Sequence, residues 1–290
     1  MKLNEKQELL NNIQTAGIIL KPDSPEIKNT YFQIKSYFEN ESIEVLLESN
    51  SATMIGCTGV EFDELCQKSD FLVSVGGDGT LISVTRRSYE YEMPVLGIHL
   101  GTLGFLTDIM LKELPSFLEK LKNNEYRIDT RMMIRGKTKQ DDFVAFNDIV
   151  ITRKSVSNML KVDAKIDGKA FNSYYGDGII ISTPTGSTAY NLSVGGPLVY
   201  PLTSAFIVTP IAPHSLTQRP LVLPANFLIE FTITDSLGAV IIVDGQDSYE
   251  IEQGESIKIE IAHKKAKLIH RFERNYFEVL NEKLQWGNKI

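Results

Sequence analysis

A glycine-rich segment with one carboxylate and one hydroxyl is the part of this sequence best suited to chemistry. It spans residues 76–80, Gly-Gly-Asp-Gly-Thr, and follows the apolar run Phe-Leu-Val-Ser-Val of residues 71–75. That run has the composition of a buried parallel strand, and residues 81–87 fit the start of a helix. Glycine lets backbone N–H groups approach phosphate oxygens, and a helix N-terminus adds partial positive charge. The segment predicts a phosphate loop at the carboxyl end of a strand.

Asp78 is an unexpected residue in a phosphate loop, because a carboxylate repels phosphate. It becomes useful if it takes the proton of an attacking hydroxyl or holds the magnesium that bridges phosphates, and both roles belong to phosphoryl transfer. The segment lacks the Lys-Ser/Thr of a Walker loop and the glycine spacing of a Rossmann turn. A tight turn without a ligand is the structural alternative.

A second segment, residues 174–197, is dense in hydroxyls and small side chains. It reads Tyr-Tyr-Gly-Asp-Gly-Ile-Ile-Ile-Ser-Thr-Pro-Thr-Gly-Ser-Thr-Ala-Tyr-Asn-Leu-Ser-Val-Gly-Gly-Pro. The pattern predicts a strand, a turn and a short helix that brings Thr188, Tyr190 and Ser193 toward one region. Tyr190 can stack on a base while hydroxyls bond ribose or amide groups. A Ser/Thr-rich turn with no ligand is the alternative, but it explains less well why Asp177 precedes it.

The composition indicates a globular protein that acts on small molecules. The 290 residues are 42% hydrophobic, which is enough for two domains with real cores, and the formal net charge is -7. An acidic chain argues against a nucleic-acid partner. Cys57 and Cys66 are too few for a disulfide framework. Residues 1–20 do not resemble a signal peptide and no apolar run could span a membrane, so we expect no membrane partner and a cytoplasmic location.

Strands and helices alternate over the first part of the chain, which predicts a parallel α/β sheet. The predicted strands are residues 16–20, 43–47, 71–75 and 94–100. The predicted helices are residues 25–40, 61–67 and 112–123.

Strands dominate after residue 125. They are predicted at residues 126–135, 142–153, 159–166, 173–183, 227–234, 240–243 and 256–262. Turns are predicted at Asp167-Gly168 and Asp244-Gly245. The basic run 263–267 is interpreted as a solvated hairpin, and residues 272–284 as a helix. The predicted fold is an α/β domain, residues 1–124 completed by 270–290, and a β-rich, β-sandwich-like domain over residues 125–269.

The motifs of this chain resemble, in order, those of the NAD kinase family. They are residues 76–80, Leu-Gly-Phe-Leu-Thr-Asp at 103–108, Asn-Asp at 147–148, the block 177–197, His-Ser-Leu with Arg-Pro at 214–220, and Asp-Gly-Gln at 244–246. The Gly-Gly-Asp-Gly loop is shared with diacylglycerol, sphingosine and phosphofructokinase relatives, whereas residues 183–197 are specific to NAD kinases. The resemblance implies a two-domain NAD kinase-like fold and transfer of the γ-phosphoryl group of ATP to the 2′-hydroxyl of the adenosine ribose of NAD, giving NADP.

The resemblance also implies a role for each matching residue. Asp78 would be the catalytic base or the carboxylate that organises a divalent metal ion, Mg²⁺. The ATP phosphate site would be shaped by Gly76, Gly77 and Thr80. The NAD-binding residues would be Gly79, Phe105, Asn147, Asp148, Tyr175, Asp177, Thr188, Ala189, Tyr190, Ser193, Ala212 and Gln246. The resemblance further implies a homodimer or homotetramer, in which Asp177 would reach a dinucleotide bound chiefly by a neighbouring subunit.

Three residues depart from the family pattern. Asp148 stands where Glu is usual, which shortens the reach by one methylene, and His99 replaces a commoner Asn and is interpreted as structural. Tyr175 stands where many relatives have Arg or Lys, so phosphate contact there would weaken and feedback by NADP would differ. His214 and Arg219 are interpreted as bracing a loop.

Two other functions remain open from the sequence. One is a lipid kinase that shares the Gly-Gly-Asp-Gly loop, although the chain has no basic amphipathic segment to dock on a membrane. The other is a non-catalytic dinucleotide sensor, although an intact Asp78 in an intact glycine loop argues against it.

Overall fold

The structure is a computed structural model that describes residues 8–101, 104–155, 158–235 and 237–285. The chain divides into two compact units. Unit 1 comprises Met1–Thr130 and Ala266–Ile290, and unit 2 comprises Arg131–Lys265. Within the described ranges, every helix is too short or too polar to cross a membrane.

The strands of the described ranges are, in chain order, β1 Thr15–Leu20, β2 Glu44–Leu47, β3 Phe71–Gly76, β4 Pro94–His99, β5 Ile109–Met110, β6 Tyr126–Arg131, β7 Ile134–Lys137, β8 Asp142–Ala145, β9 Asp148–Arg153, β10 Leu160–Ile166, β11 Lys169–Gly176, β12 Gly178–Ser182, β13 Ala205–Ile211, β14 Leu221–Pro224, β15 Ile229–Ile233, β16 Ala239–Val243, β17 Asp247–Ile251, β18 Ser256–Ile261 and β19 Ala266–Arg271.

The α-helices are α1 Lys28–Asn40, α2 Ser49–Ile55, α3 Phe62–Lys68, α4 Asp78–Arg87, α5 Leu114–Lys122, α6 Tyr190–Ser193 and α7 Tyr276–Leu284. Short 3₁₀ turns occur at Pro25–Ile27, Tyr89–Tyr91, Leu111–Glu113 and Thr185–Thr188.

Unit 1 is built on a parallel sheet, as the alternation of strands and helices predicts. The strand order is β2-β1-β3-β4-β19-β6, with β5 paired to β4. Pairs β1/β2, β1/β3, β3/β4, β4/β5 and β4/β19 are parallel. Fully buried side chains such as Ile18, Val73 and Leu96 from the strands pack with Ile34 and Phe38 of α1. The glycine-rich segment lies where β3 ends and α4 begins.

Unit 2 is a sandwich of two antiparallel sheets, which confirms the β-rich expectation. One sheet has the order β11-β10-β15-β18-β7-β8, and the other β14-β13-β12-β9-β16-β17. Alternate side chains of both sheets form one apolar core. Ile149 and Ile151 contribute from β9, and Phe231 contributes from β15 of the facing sheet. The alternation of buried and half-exposed residues in β15 and β16 follows from covering one sheet face only.

Three predictions of one continuous strand are wrong, because the chain changes sheet within each of them. Residues 126–135 form β6 of unit 1 and β7 of unit 2, separated by the buried Met132 and Met133. Residues 142–153 break at Phe146 and Asn147, whose N–H groups bind the Asp244 carboxylate rather than a neighbouring strand.

The third split falls between β11 and β12, within residues 173–183. Asp177 lies between the two strands, and its N–H donates to the carbonyl of Ile211. Gly176 and Gly178 flank this point, and a Cβ on either would lie within 3 Å of backbone oxygen atoms. The two glycines therefore allow the chain to pass from one sheet to the other.

Six of the strands and α-helices were not predicted: α2, β5, β13, β14, β17 and β19. The last also corrects the interpretation of residues 263–267 as a solvated hairpin, because Ala266 and Lys267 begin β19, which pairs with β4 in the sheet of unit 1. The predicted turns Asp167-Gly168 and Asp244-Gly245 do connect antiparallel strands, and all four residues have positive φ. Residues 286–290 of the predicted C-terminal segment and Leu103 lie outside the described ranges.

Candidate active site

The glycine-rich segment places an open loop at the N-terminus of a ten-residue helix. Gly77 precedes α4, and Leu81 N donates to Gly77 O. A Cβ added at Gly77 or Gly79 would meet no atom within 4 Å, and neither residue has positive φ. Packing and backbone conformation therefore do not demand glycine at these two positions. An incoming group that needs close backbone approach would explain both.

Gly76 has a different role from its two glycine neighbours. A Cβ there would lie 2.4 Å from Thr80 Oγ1, so the tight turn itself requires the glycine. Thr80 is held next to the start of α4 by the same turn.

The Asp78 carboxylate is fixed by residues 105–107. Oδ2 accepts from Phe105 N at 2.7 Å, while Oδ1 accepts from Leu106 N at 3.2 Å and from Thr107 N and Oγ1 at 3.0 Å each. A Cβ on Gly104 would lie 2.0 Å from Asp78 Oδ1. Glycine at 104 therefore allows this loop to close over the carboxylate. The four hydrogen bonds from residues 105–107 fix the orientation of the Asp78 side chain.

Asp78 retains capacity for one further partner. Among the described residues, its Oδ2 has one hydrogen-bond donor, Phe105 N, and a carboxylate oxygen offers about two lone-pair sites. No cluster of three or more His, Cys, Asp or Glu side chains suited to a metal occurs among the described residues. Mg²⁺ in phosphoryl-transfer sites keeps several waters and binds through one or two carboxylates plus substrate phosphates. The single carboxylate at this loop fits that requirement.

Unit 2 holds a second carboxylate turn, at the start of β9. Asp244, which follows β16, accepts from Phe146 N at 2.8 Å, Asn147 N at 2.7 Å and Asp148 N at 2.9 Å. Asp244 N in turn donates to Asp148 O at 3.0 Å. These bonds hold the predicted ligands Asn147 and Asp148 beside the turn that carries Gln246.

The side chains of Asn147 and Asp148 are buried. Within the part of the chain that the structure describes, Asn147 Oδ1 has no hydrogen-bond partner. Burial and then the neighbouring Asp244 carboxylate raise the pKa of Asp148 from 3.8 to about 7. Near neutral pH this carboxyl can therefore donate as well as accept a hydrogen bond, which suits a ligand hydroxyl.

The hydroxyl-rich segment divides into a buried framework and an exposed rim. Thr183 Oγ1 donates to Phe146 O, Ser187 Oγ donates to Val199 O, and the fully buried Asn191 accepts from Thr209 Oγ1. These side chains build the turn. The rim consists of the predicted ligands Thr188, Ala189, Tyr190 and Ser193.

Thr183 joins this segment to Asn147, since Thr183 N donates to Asn147 O at 2.8 Å. Tyr190 is 45% exposed on α6. Its ring is therefore available for stacking.

The remaining predicted ligands form a separate group at the other end of β12. Asp177 N donates to Ile211 O, next to Ala212, and Arg153 forms a 3.1 Å ion pair with Asp177. The 47% exposed Tyr175 ring lies edge-on to His214 at 5.6 Å. The five residues of β12 separate this group from Thr183 by roughly 15 Å at the usual rise per residue.

His99 and Arg219 bond to backbone atoms near them, as expected for residues that order loops. His99 Nδ1 accepts from Gly101 N at 2.8 Å, and Arg219 donates to the carbonyls of Leu216 and Gln218. His214 N donates to Tyr175 O.

Sequence reasoning missed two residues that hold the candidate site. Asp244 belongs to a predicted turn and to the Asp-Gly-Gln motif, but it was given no role, and Arg274 was not predicted to have one either. Arg274 donates to the carbonyls of Phe105 and Leu106, at 3.3 Å for Leu106. The contacts of Asp244 and Arg274 span 96 to 169 residues, so no local pattern could reveal them.

The sequence matches two protein-family models that cover most of its length. Residues 16–126 match the model of the ATP-NAD kinase N-terminal domain, and residues 146–271 match that of the ATP-NAD kinase C-terminal domain. The chain belongs to the NAD kinase family. The resemblance inferred from the motifs is thereby confirmed, together with the two-domain NAD kinase fold.

Bacterial NAD kinases are similar to this chain over nearly their whole length. The protein named NAD kinase in Sulfurimonas denitrificans is 52% identical over 95% of this chain and 98% of its own length. The NAD kinase of Helicobacter hepaticus is 42% identical over 96% of this chain and 97% of its own length.

Two solved structures of NAD or NADH kinases share the fold. Yeast NADH kinase in complex with NADH superposes with a TM-score of 0.89 at 27% identity, covering 97% of this chain and 90% of the yeast chain. An NAD kinase from Archaeoglobus fulgidus in complex with ATP gives a TM-score of 0.76 at 27% identity, covering 94% of this chain and 99% of the archaeal chain. These matches give no support to a lipid kinase or a non-catalytic sensor.

Proposed function

We propose that this chain transfers the γ-phosphoryl group of ATP to the 2′-hydroxyl of the adenosine ribose of NAD, giving NADP. Membership of the NAD kinase family supports the activity, and relatives bind ATP and NADH. The observation that carries the proposal is the Asp78 carboxylate, which three successive N–H groups orient at the start of α4 beside an open glycine loop.

Asp78 acts on the ribose hydroxyl. A ribose hydroxyl is a poor nucleophile near neutral pH, so a placed carboxylate that receives its proton lowers the barrier. The 2′-oxygen forms a bond to the γ-phosphorus as the bond from that phosphorus to the β,γ-bridging oxygen breaks. ADP then leaves, and the hydroxyl proton passes to Asp78 and on to water. Oδ2 is the oxygen with a free lone pair for this step.

The loop and helix start bind the phosphates of ATP. A Cβ at Gly77 or Gly79 would meet no other atom within 4 Å, so a phosphate can approach the backbone there, and the dipole of α4 favours negative charge at this helix start. Mg²⁺ would be held by Asp78 together with the phosphates, and when bound it neutralises charge on the transferring group.

Unit 2 binds NAD through the group at the start of β9. The buried amide oxygen of Asn147 and the carboxyl of Asp148 bond ribose hydroxyls, and the exposed Tyr190 ring stacks on a base. Thr188, Ala189 and Ser193 line the same rim. Phe105, Gly79 and Gln246 make further contacts with NAD.

The group of Tyr175, Asp177 and Ala212 serves a neighbouring subunit. It lies a strand's length from Asn147, which is too far for contacts with the same ribose. A homodimer or homotetramer built through unit 2 brings such a group to a second dinucleotide. Sedimentation of the purified protein tests this, since a monomer at working concentration contradicts it.

A donor and acceptor screen tests the proposed function. Purified protein with Mg²⁺, ATP and NAD is expected to form NADP, measured with an NADP-specific dehydrogenase. NADH and polyphosphate replace NAD and ATP in parallel reactions. NADP no higher than with the variant Asp78→Asn would refute the proposal. Phosphorylation of diacylglycerol instead would favour the lipid kinase, and NAD binding without turnover would favour the sensor.

A further inference from the structure

Two consecutive peptide groups lie between the Asp78 carboxylate and a buried guanidinium. The peptide group joining residues 105 and 106 donates its N–H to Asp78, and its carbonyl accepts from Arg274 Nη2. The next group, joining residues 106 and 107, donates its N–H to Asp78 at 3.0 Å, and its carbonyl accepts from Arg274 Nη1 at 3.3 Å. Each group is thus bound at both ends, by an anion and by a cation.

This arrangement both fixes and polarises the loop. A guanidinium on the carbonyl side draws electron density toward oxygen, which strengthens the N–H donor on the other side. Two parallel donors of one planar group also fix the orientation of both peptide planes, which a single-point ammonium cannot do. The position of the Asp78 carboxylate therefore depends on Arg274 as well as on the loop.

Arg274 is itself held by a buried charge network. Its side chain is 5% exposed, and Nη1 lies 3.4 Å from Asp108 Oδ2, on a side chain that is 2% exposed. Asp108 also lies 3.3 Å from His270 Nδ1, and His270 Nε2 lies 3.7 Å from Asp129. Burial alone would raise the pKa of Asp108, but His270, Arg274 and Arg271 lower it to about 2. The lowered pKa keeps the carboxylate that anchors Arg274 ionised near neutral pH.

We propose that Arg274 is a positioning residue for phosphoryl transfer. Its hydrogen bonds to the carbonyls of residues 105 and 106 fix the loop 105–107, and this loop fixes the position of the Asp78 carboxylate. Arg274 touches neither phosphate nor ribose and acts only through the two peptide groups. This inference rests on the proposed function, because the reaction it serves is the one proposed for Asp78.

The matched control is Arg271. Its guanidinium lines the same cavity of about 410 Å³ and pairs with Glu113 at 3.2 Å, but it makes no contact with the carbonyls of residues 105 and 106. Arg271→Ala thus removes a similar ion pair from the same place without releasing the loop.

Steady-state kinetics of NADP formation provide the first test. For Arg274→Ala, kcat is expected to fall about ten- to a hundredfold, as for other small displacements of reacting groups. The KM for ATP stays within about twofold, because glycine loop contacts are intact. Arg274→Lys is expected to lie between wild type and Arg274→Ala, since one ammonium replaces a two-point donor. Arg271→Ala keeps the wild-type kcat.

Chemical rescue uses the cavity beside Arg274. Removing the side chain joins its space to the cavity of about 410 Å³, which admits a guanidinium ion. Added guanidinium, at concentrations far below those that unfold the protein, is expected to restore kcat of Arg274→Ala saturably, whereas urea does not. Hydrogen exchange of the amides of residues 105–107 supplies a readout without turnover, and it is expected to accelerate in Arg274→Ala but not in Arg271→Ala.

Several outcomes would overturn the positioning role. They are a kcat of Arg274→Ala no lower than that of Arg271→Ala, no recovery with guanidinium, or unchanged exchange at residues 105–107. If Arg274→Ala does not fold, Arg274→Lys decides, and wild-type kcat with wild-type exchange in that variant overturns the proposal. A wild-type protein that forms no NADP refutes the proposed function instead, while the exchange experiment still reports on Arg274.

Discussion

Unit 1 and unit 2 each contain an aspartate that follows a strand and gathers three successive backbone N–H groups. Asp78 follows β3 and binds the amides of residues 105–107, and Asp244 follows β16 and binds those of residues 146–148. In both turns a glycine comes next in sequence. The same local device thus orders a distant segment in two unrelated folds.

The surroundings of the two turns carry opposite charge. Behind the first, Arg274 binds the carbonyls of the ordered segment. Beside the second lies another carboxyl, Asp148, whose pKa is raised to about 7 by burial and by Asp244. The Asp78 carboxylate is oriented by the loop and has room on Oδ2 for a reacting hydroxyl, whereas a buried carboxyl near an anion, such as Asp148, holds a proton. One turn therefore suits transfer chemistry and the other suits hydroxyl recognition.

The largest expected effect is on kcat, and it distinguishes the turn of Asp78 from the turn of Asp244. Asp78→Asn is expected to lower kcat for NADP formation by about 10² to 10⁴, because an amide cannot accept the hydroxyl proton. Asp70→Asn is the control, since Asp70 also accepts two backbone N–H groups, of Gln14 and Thr15, but at the opposite end of β3. Equal activity of the two variants would remove Asp78 from the chemistry.

A substitution at Gly104 tests whether the loop of residues 105–107 must close over the Asp78 carboxylate. Gly104→Ala places a methyl group 2.0 Å from the present position of Asp78 Oδ1, so loop or carboxylate must move. We expect kcat to fall about tenfold or more, as for a displacement of 1 Å. Gly168→Ala, at a positive φ of 78° in open space, serves as a control that costs stability but not kcat. Wild-type kcat in Gly104→Ala would show that closure is not needed.

Asp244 is the counterpart test in unit 2. Asp244→Asn replaces an acceptor of three N–H groups by an amide that can accept only part of them. We expect the KM for NAD to rise about tenfold with a smaller change in kcat, since loss of charged hydrogen bonds costs about 1.5 to 3 kcal/mol. Asp167→Asn is the control, because Asp167 also lies in a hairpin turn and its carboxylate accepts a hydrogen bond from Leu228 N. A fall in kcat alone would contradict the division between the two turns.

The smallest effect concerns the pH dependence of stability. The pKa of Asp148 is about 7 in the folded chain and 3.8 in the unfolded chain. Between pH 3.8 and pH 7 the folded chain therefore holds a proton that the unfolded chain lacks. Its carboxyl therefore destabilises the fold increasingly as pH rises to about 7, and fully above it. The stability gain of Asp148→Asn over wild type is expected to be larger at pH 8 than at pH 5, by on the order of 2 kcal/mol, and to vanish only near pH 4.

Thermal unfolding of both proteins across that range measures the difference. A difference that does not change with pH would mean that Asp148 is ionised throughout. Asp244→Asn should reduce the pH dependence as well, because the neighbouring charge contributes to the raised pKa.

The first turn could be predicted from sequence, and the second could not. Residues 76–80 combine an apolar run, glycines and a helix start within a dozen positions, so local rules suffice for the phosphate loop. Asp244 lies in a predicted turn and in the Asp-Gly-Gln motif, but neither pattern indicates its three hydrogen bonds, because its partners lie 96 to 98 residues earlier. Arg274 likewise looks like an ordinary exposed residue of the predicted helix 272–284 until its contacts with residues 105 and 106 are known.

The fold class was also accessible from periodicity, whereas strand boundaries at sheet changes were not. The sheet of unit 1 and the sandwich of unit 2 follow from the alternation of helices and strands and from alternating apolar residues. Where the chain passes from one sheet to the other, at Asp177 and at Phe146, the residues on both sides of the break have the amino-acid composition typical of strands. Only tertiary hydrogen bonds reveal where one strand ends and the next begins.

Strand β19 has a consequence for how this protein is made. Unit 1 takes Ala266–Arg271 into its sheet between β4 and β6, yet the chain reaches that strand only after all of unit 2. During synthesis, which proceeds at about 5–20 residues per second, the edges of β4 and β6 wait several seconds for their neighbour. A nascent chain stalled before residue 266 exposes these unpaired edges, which are sites for aggregation and for chaperone binding. The order of translation thus makes unit 1 the last to be completed, although its glycine-rich loop is encoded first.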